Sequence, residues 1–176
     1  GETDETTFLA VLSGRNCVTM ETCGHIDTRV SVGRGELMPL HASAAGKAVL
    51  AFLPSREQQE VLSQLDLHRH TEATITDAKR LRRELESIRR CGISYNREEF
   101  HKGIKALATP IFGGLGRVLG AIAAVGISLD LDEAQMQEYG ELFLDASEEI
   151  SYKLGGELPR GIREGRPQPA RNDSGR

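Results

Sequence analysis

Met38-Pro39-Leu40-His41-Ala42-Ser43-Ala44-Ala45-Gly46-Lys47-Ala48-Val49-Leu50-Ala51-Phe52-Leu53-Pro54 is the stretch that constrains the chain most. Ser43 or His41 can cap a helix start, and Ala44 to Leu53 consists of strong helix formers apart from Gly46 and Val49. Pro54 ends the run by denying the next turn a donor. A first turn of Ser-Ala-Ala-Gly leaves backbone N–H groups with nothing bulky over them, where a carboxylate or carbonyl can dock. Small residues equally suit close packing of the helix on a sheet, and spacing alone leaves both open.

Upstream, Thr7 to Leu12 and Cys17 to Met20 are apolar runs around Ser13-Gly14-Arg15-Asn16, a hairpin pattern. His25 to Val32 alternates, with Ile26, Thr28, Val30 and Val32 opposite Asp27, Arg29 and Ser31, which predicts a half-buried strand. Downstream, Ser55 with Gln58 resembles a capping box for a short helix ending near Leu65. Leu67 to Thr76 reads as a polar loop. Asp77 caps a charged helix with Leu81, Leu85 and Ile88 on one face, and Gly92 suits a left-handed C-cap. Lys79, Arg80, Arg82, Arg83, Arg89 and Arg90 on that helix are interleaved with Glu84 and Glu86, so a solvated face is expected rather than a phosphate site. Ile93 to Tyr95, Ile104 to Phe112 and Val118 to Ile127 are strands, the last apolar enough to be central. Met136, Tyr139, Phe143, Ala146, Ile150 and Leu154 form the core stripe of a long helix stopped by Gly155-Gly156. Antiparallel hairpins with helices before and after them predict an α+β domain, not a nucleotide-binding βαβ fold.

Composition narrows the function. The 176 residues suit one domain with a core, and the net charge of −4 without a dominant basic face argues against this segment gripping nucleic acid. No apolar run approaches membrane-spanning length. Cys17, Cys23 and Cys91 lack a CxxC pattern and are expected to be reduced, cytoplasmic thiols. Cys17, Cys23 and His25 lack a second ligand pair, so no metal is expected. Ser43 lacks a hydrolase elbow, and neither Lys47 nor Lys102 has a Ser or Asp in catalytic order. Glu98 and Glu99, adjacent in an extended segment, point apart and make a poor acid/base pair. No catalytic set remains, and no cofactor is expected.

Pro39-Leu40-His41-Ala42-Ser43-Ala44-Ala45-Gly46-Lys47-Ala48 resembles the signature of the IclR-type transcriptional regulators. Thr71, Thr74-Ile75-Thr76, Leu81, the Leu85–Arg89 helix, Gly92, Glu98-Glu99, Gly103 and Ala108-Thr109-Pro110-Ile111-Phe112 follow in the same order. The likeness runs from Thr7 to Gly156. It implies a GAF-like effector-binding domain over residues 1–156, with a curved, mainly antiparallel sheet flanked by helices. Residues 157–176, rich in Pro, Gly and Arg, are expected to be a disordered tail. It further implies a small-molecule effector, a homodimer or homotetramer, no membrane, and DNA reached through an N-terminal winged helix-turn-helix outside this chain.

Carried over residue by residue, the resemblance implies a pocket of Met38, Ala44, Ala45, Asn96, Ala106, Ala123 and Val125. Asn96 stands where the family commonly has Asp, and Ala123 and Val125 where some acid-binding members have Ser. Loss of a carboxylate removes repulsion toward an anion, and loss of hydroxyls makes the wall apolar. The expected ligand therefore has an acid or carbonyl end on the Ala44–Ala45 amides and an apolar or aromatic body against the strands. Two alternatives compete. One is a GAF-like thiol redox enzyme using Cys91, which a helix C-terminus disfavours because its dipole opposes thiolate. The other is an oligomerisation module with a filled core.

Overall fold

The computed structural model describes residues 5–24 and 30–164. Strands β1 (Thr6–Ser13) and β2 (Asn16–Cys23) form the expected hairpin, turning at Gly14 with a φ of 60° that a side chain would resist. With β3 (Leu37–Pro39), β4 (Ser94–Arg97), β5 (Ile104–Phe112) and β6 (Val118–Ile127) they make one curled sheet in the order β3-β2-β1-β6-β5-β4. All five pairings are antiparallel. The apolar β6 lies between β1 and β5, so both its edges are paired.

Helix α1 (Ala44–Phe52) lies on one face and is buried along almost its whole length. Its Ala44, Ala45 and Ala48 pack with Ala106, Ala108, Ala121 and Ala123 of the strands, so the small residues of helix and sheet meet each other. Helix α2 (Ser55–Gln64) follows, and α3 (Ala78–Cys91) packs outside α1. Leu81, Leu85 and Ile88 of α3 are buried, Asp77 caps its start and Gly92 ends it in the left-handed region with its N–H on the Ile88 carbonyl at 2.7 Å. Helix α4 (Glu133–Lys153) covers the opposite face, where Met136 and Phe143 meet Leu107 and Ala124. The chain closes with α5 (Arg160–Glu164).

Three expectations are corrected. Ser55 is the first residue of α2 and makes no side-chain cap; Gln58 instead donates to the Leu50 carbonyl of α1 at 2.7 Å. Of the strand expected over 25–32, residues 25–29 lie outside the described residues, and Val30, Ser31 and Val32 belong to no strand. Val30 and Val32 satisfy their alternation by packing against the core, while β3 takes the place beside β2. The tail is not free from Glu157 onward: Leu158 and Ile162, 2% and 1% exposed, pack with Ile93, Phe112 and Leu144. Apolar burial outweighs the Pro- and Gly-rich composition there. The remainder of the expected tail, 165–176, lies outside the described residues.

Candidate functional site

Register sets the floor of a cavity of about 130 Å³. Thr6, Val125, Ala106 and Asn96 face one another across β1, β6, β5 and β4, and the last three line the cavity. Met38 of β3 and Ala44 at the start of α1 complete the part expected from the resemblance. Ala45 and Ala123 do not line it. Ala123 sits one inward position along β6, opposite Phe8 and Ala108, where α1 packs directly on the sheet. The hollow therefore lies beside the first turn of α1 rather than between that helix and Ala123.

The remaining walls were not foreseen. Val30, Ser31, Val32 and Glu36, whose Oε2 accepts from Gly33 N at 2.9 Å, close one side, and Phe100, His101 and Ile104 close another, with Phe8 and Ser43 between. Inward alternation from Thr6 would have found Phe8; nothing local marks Phe100, which arrives through the fold. Among the described residues no Lys or Arg lines the cavity.

Its polar groups are mostly committed. Ser43 Oγ accepts from Gly46 N at 3.0 Å and donates to the Pro39 carbonyl at 2.8 Å. The Lys47 N–H goes to the Ser43 carbonyl at 3.0 Å, which leaves the Ala44 and Ala45 amides without an intrahelical acceptor. Asn96 Oδ1 accepts from Glu99 N at 2.7 Å.

Behind this wall lies a charge cluster that sequence order did not reveal. The Lys47 side chain is 0% exposed; its ammonium meets Glu99 Oε1 and Oε2 at 2.7 and 2.8 Å, the Tyr95 carbonyl at 2.8 Å and Glu84 Oε1 at 3.1 Å. All the donors of the ammonium are engaged. Burial pushes the Glu99 carboxyl above the usual range, against the pull of Lys47. Breaking such a buried pair on one side costs about 3–5 kcal/mol, because the other charge stays behind. Thr71 Oγ1 and Thr74 Oγ1 donate to the Glu98 and Glu99 carbonyls at 2.6 and 2.7 Å, so the turn carrying Phe100 and His101 is fastened from two sides.

A group of imidazoles adjoins the same turn. His41 Nε2 meets the His68 carbonyl at 2.9 Å, and the His70 ring lies 5.6 Å from His41, 5.1 Å from His68 and 5.0 Å from Phe100. Among the described residues no three His, Cys, Asp or Glu side chains converge to hold a metal ion, and no helix is long and apolar enough to cross a membrane. Cys17 is buried and its thiol is pushed up to about 12 by burial, while the exposed Cys91 points its Sγ at the Ile93 carbonyl.

Residues 1–152 match the family model described as Bacterial transcriptional regulator IclR C-terminal. The chain belongs to this family. This IclR C-terminal domain is 34% identical over 153 residues to the HTH-type transcriptional repressor AllR of Klebsiella pneumoniae, covering 86% of this chain and 56% of that protein. It is 31% identical over 159 residues to the transcriptional repressor IclR of Escherichia coli K12, covering 88% and 58%. The chain thus spans little more than half the length of the curated relatives it matches. The crystal structure of Thermotoga maritima IclR superposes with a TM-score of 0.83 at 33% identity, over 88% of this chain and 63% of that one. The resemblance carried by the Pro39–Ala48 motif and the GAF-like α+β fold it implied are therefore correct, and the family is one of regulators rather than enzymes.

Proposed function

We propose that this domain senses a small organic acid with an apolar or aromatic body and passes its occupancy to a DNA-binding domain elsewhere in the full-length protein. The observation that carries this is the cavity beside the first turn of α1. It has apolar walls from Phe8, Met38, Phe100, Ile104 and Val125, and the Ala44 and Asn96 amides are the donors that we take to meet an acid end, beside Ser31 and His101. An acid end suits N–H donors at a helix start. Ala45 is the second free amide of that turn, and Ala123 sets how closely α1 approaches the sheet.

Both named relatives are repressors, which supports repression of transcription as the role of the whole protein. Effector control then requires the ligand to bind one arrangement of a homodimer or homotetramer better than another, since equal affinity for both shifts nothing. Isothermal calorimetry with aliphatic and aromatic monoacids is the test. Aromatic acids are expected to bind more tightly than glyoxylate or pyruvate, and Ala106→Leu, which fills the floor, is expected to abolish binding. Tighter binding of glyoxylate or pyruvate would overturn the aromatic preference. Unaltered binding by Ala106→Leu would move the site elsewhere.

A further inference from the structure

Asn96 is 5% exposed, and its orientation is decided by a neighbour outside the cavity. The Glu99 N–H can be met only by an acceptor, so the oxygen end of the amide is the one turned toward it. The Nδ2 end makes no hydrogen bond with a described residue, nor, among the described residues, is it one of the buried side-chain atoms left without a partner. For a residue that lines the cavity, the open direction for Nδ2 is the cavity itself.

Glu99 in turn does not hold its own place. Its carboxylate is gripped by Lys47 and its carbonyl by Thr74, and Glu98 before it sits at a φ of 62°, a conformation side chains rarely adopt. We propose that the buried Lys47–Glu99 pair is a positioning device: it fixes the Glu99 N–H, which holds the Asn96 amide with its donor end toward the ligand. Asn96 then selects carboxylate or carbonyl oxygens, and Lys47 acts on specificity without touching the ligand. This rests on the effector cavity described above. It also explains why an amide differs here from a carboxylate. Asp at 96 can accept the Glu99 N–H with one oxygen, but it turns the other into the cavity as a negatively charged acceptor.

Two measurements on this protein test the proposal. The first needs no ligand: the Asn96 side-chain amide pair is identified in ¹H–¹⁵N spectra by its loss in Asn96→Asp. In Lys47→Met and in Glu99→Gln that pair is expected to move toward solvent-like shifts while the Asn16 pair stays put. Should Lys47→Met fail to fold, Glu99→Gln, which leaves Lys47 a neutral acceptor, carries the test. The second compares benzoate with benzyl alcohol. Wild type is expected to favour benzoate, and Asn96→Asp to cut that preference by about tenfold or more. An unmoved Asn96 resonance in folded variants overturns the positioning role even if benzoate binds. A resonance that moves as expected, with no benzoate bound by wild type, supports the positioning and overturns the effector assignment.

Discussion

Gly46 shows how little freedom the central motif has. A Cβ built there would lie 2.6 Å from Leu40 Cα and 2.7 Å from the Pro39 carbonyl oxygen, backbone atoms that cannot swing away. Gly46→Ala is therefore expected to lower the unfolding free energy by about 1–3 kcal/mol, seen as a lower urea midpoint at unchanged slope. An unchanged midpoint would mean that the Pro39–Ser43 turn yields. In sequence Gly46 stands out only as a weak helix former among strong ones, and the turn before it decides the crowding. Lys47 beside it was no more legible. Its partners Glu84 and Glu99 lie 37 and 52 residues away, and spacing along the chain says nothing about pairs made by folding.

At the scale of elements, helices with their own caps were the easiest to place. Asp77, the expected cap, accepts from Arg80 N at 2.7 Å and starts α3, whereas α4 starts on a capping box of Asp132 and Gln135 that its apolar stripe did not mark. Helix α5 has no such signal; Leu158 and Ile162 hold it against α3 and α4 by burial. Ile162→Ala is accordingly expected to cost about 2–4 kcal/mol in a chemical unfolding titration, as for other large-to-small changes in a core. A change within error would show that the segment after α4 adds nothing to the fold. Over residues 30–32 the expected strand does not form, because a period of two also describes a wall segment with one face on the core.

At the scale of the whole molecule, segments far apart in sequence meet around His70. His41 precedes α1, His68 and Asp66 share the loop of His70, and Phe100 and His101 come from the turn after β4. Burial holds the His70 imidazole below its ordinary range, His41, His68 and His101 add to this, and Asp66 opposes it. The unfolded chain then binds a proton more readily, so stability should fall as pH drops below about 6.5, the ordinary histidine value. Urea titrations at roughly pH 7.5 and pH 5.5, on either side of that value, are expected to show this loss in wild type and a smaller one in His70→Gln. Equal losses in both proteins would remove His70 from the effect.

The sequence by itself determined the α+β class, most helix and strand positions, the family, and the small-residue helix start, because caps, turn glycines and apolar periodicity act over a few residues. Only the tertiary structure decided which strands lie side by side, and hence that Val125, Ala106 and Asn96 form one floor while Ala123 passes under α1. It alone brought Phe100 to the cavity and Glu99 to Lys47. Cavity walls and buried ion pairs are made by chain segments whose separation in sequence carries no trace of their contact, so long-range packing had to supply them.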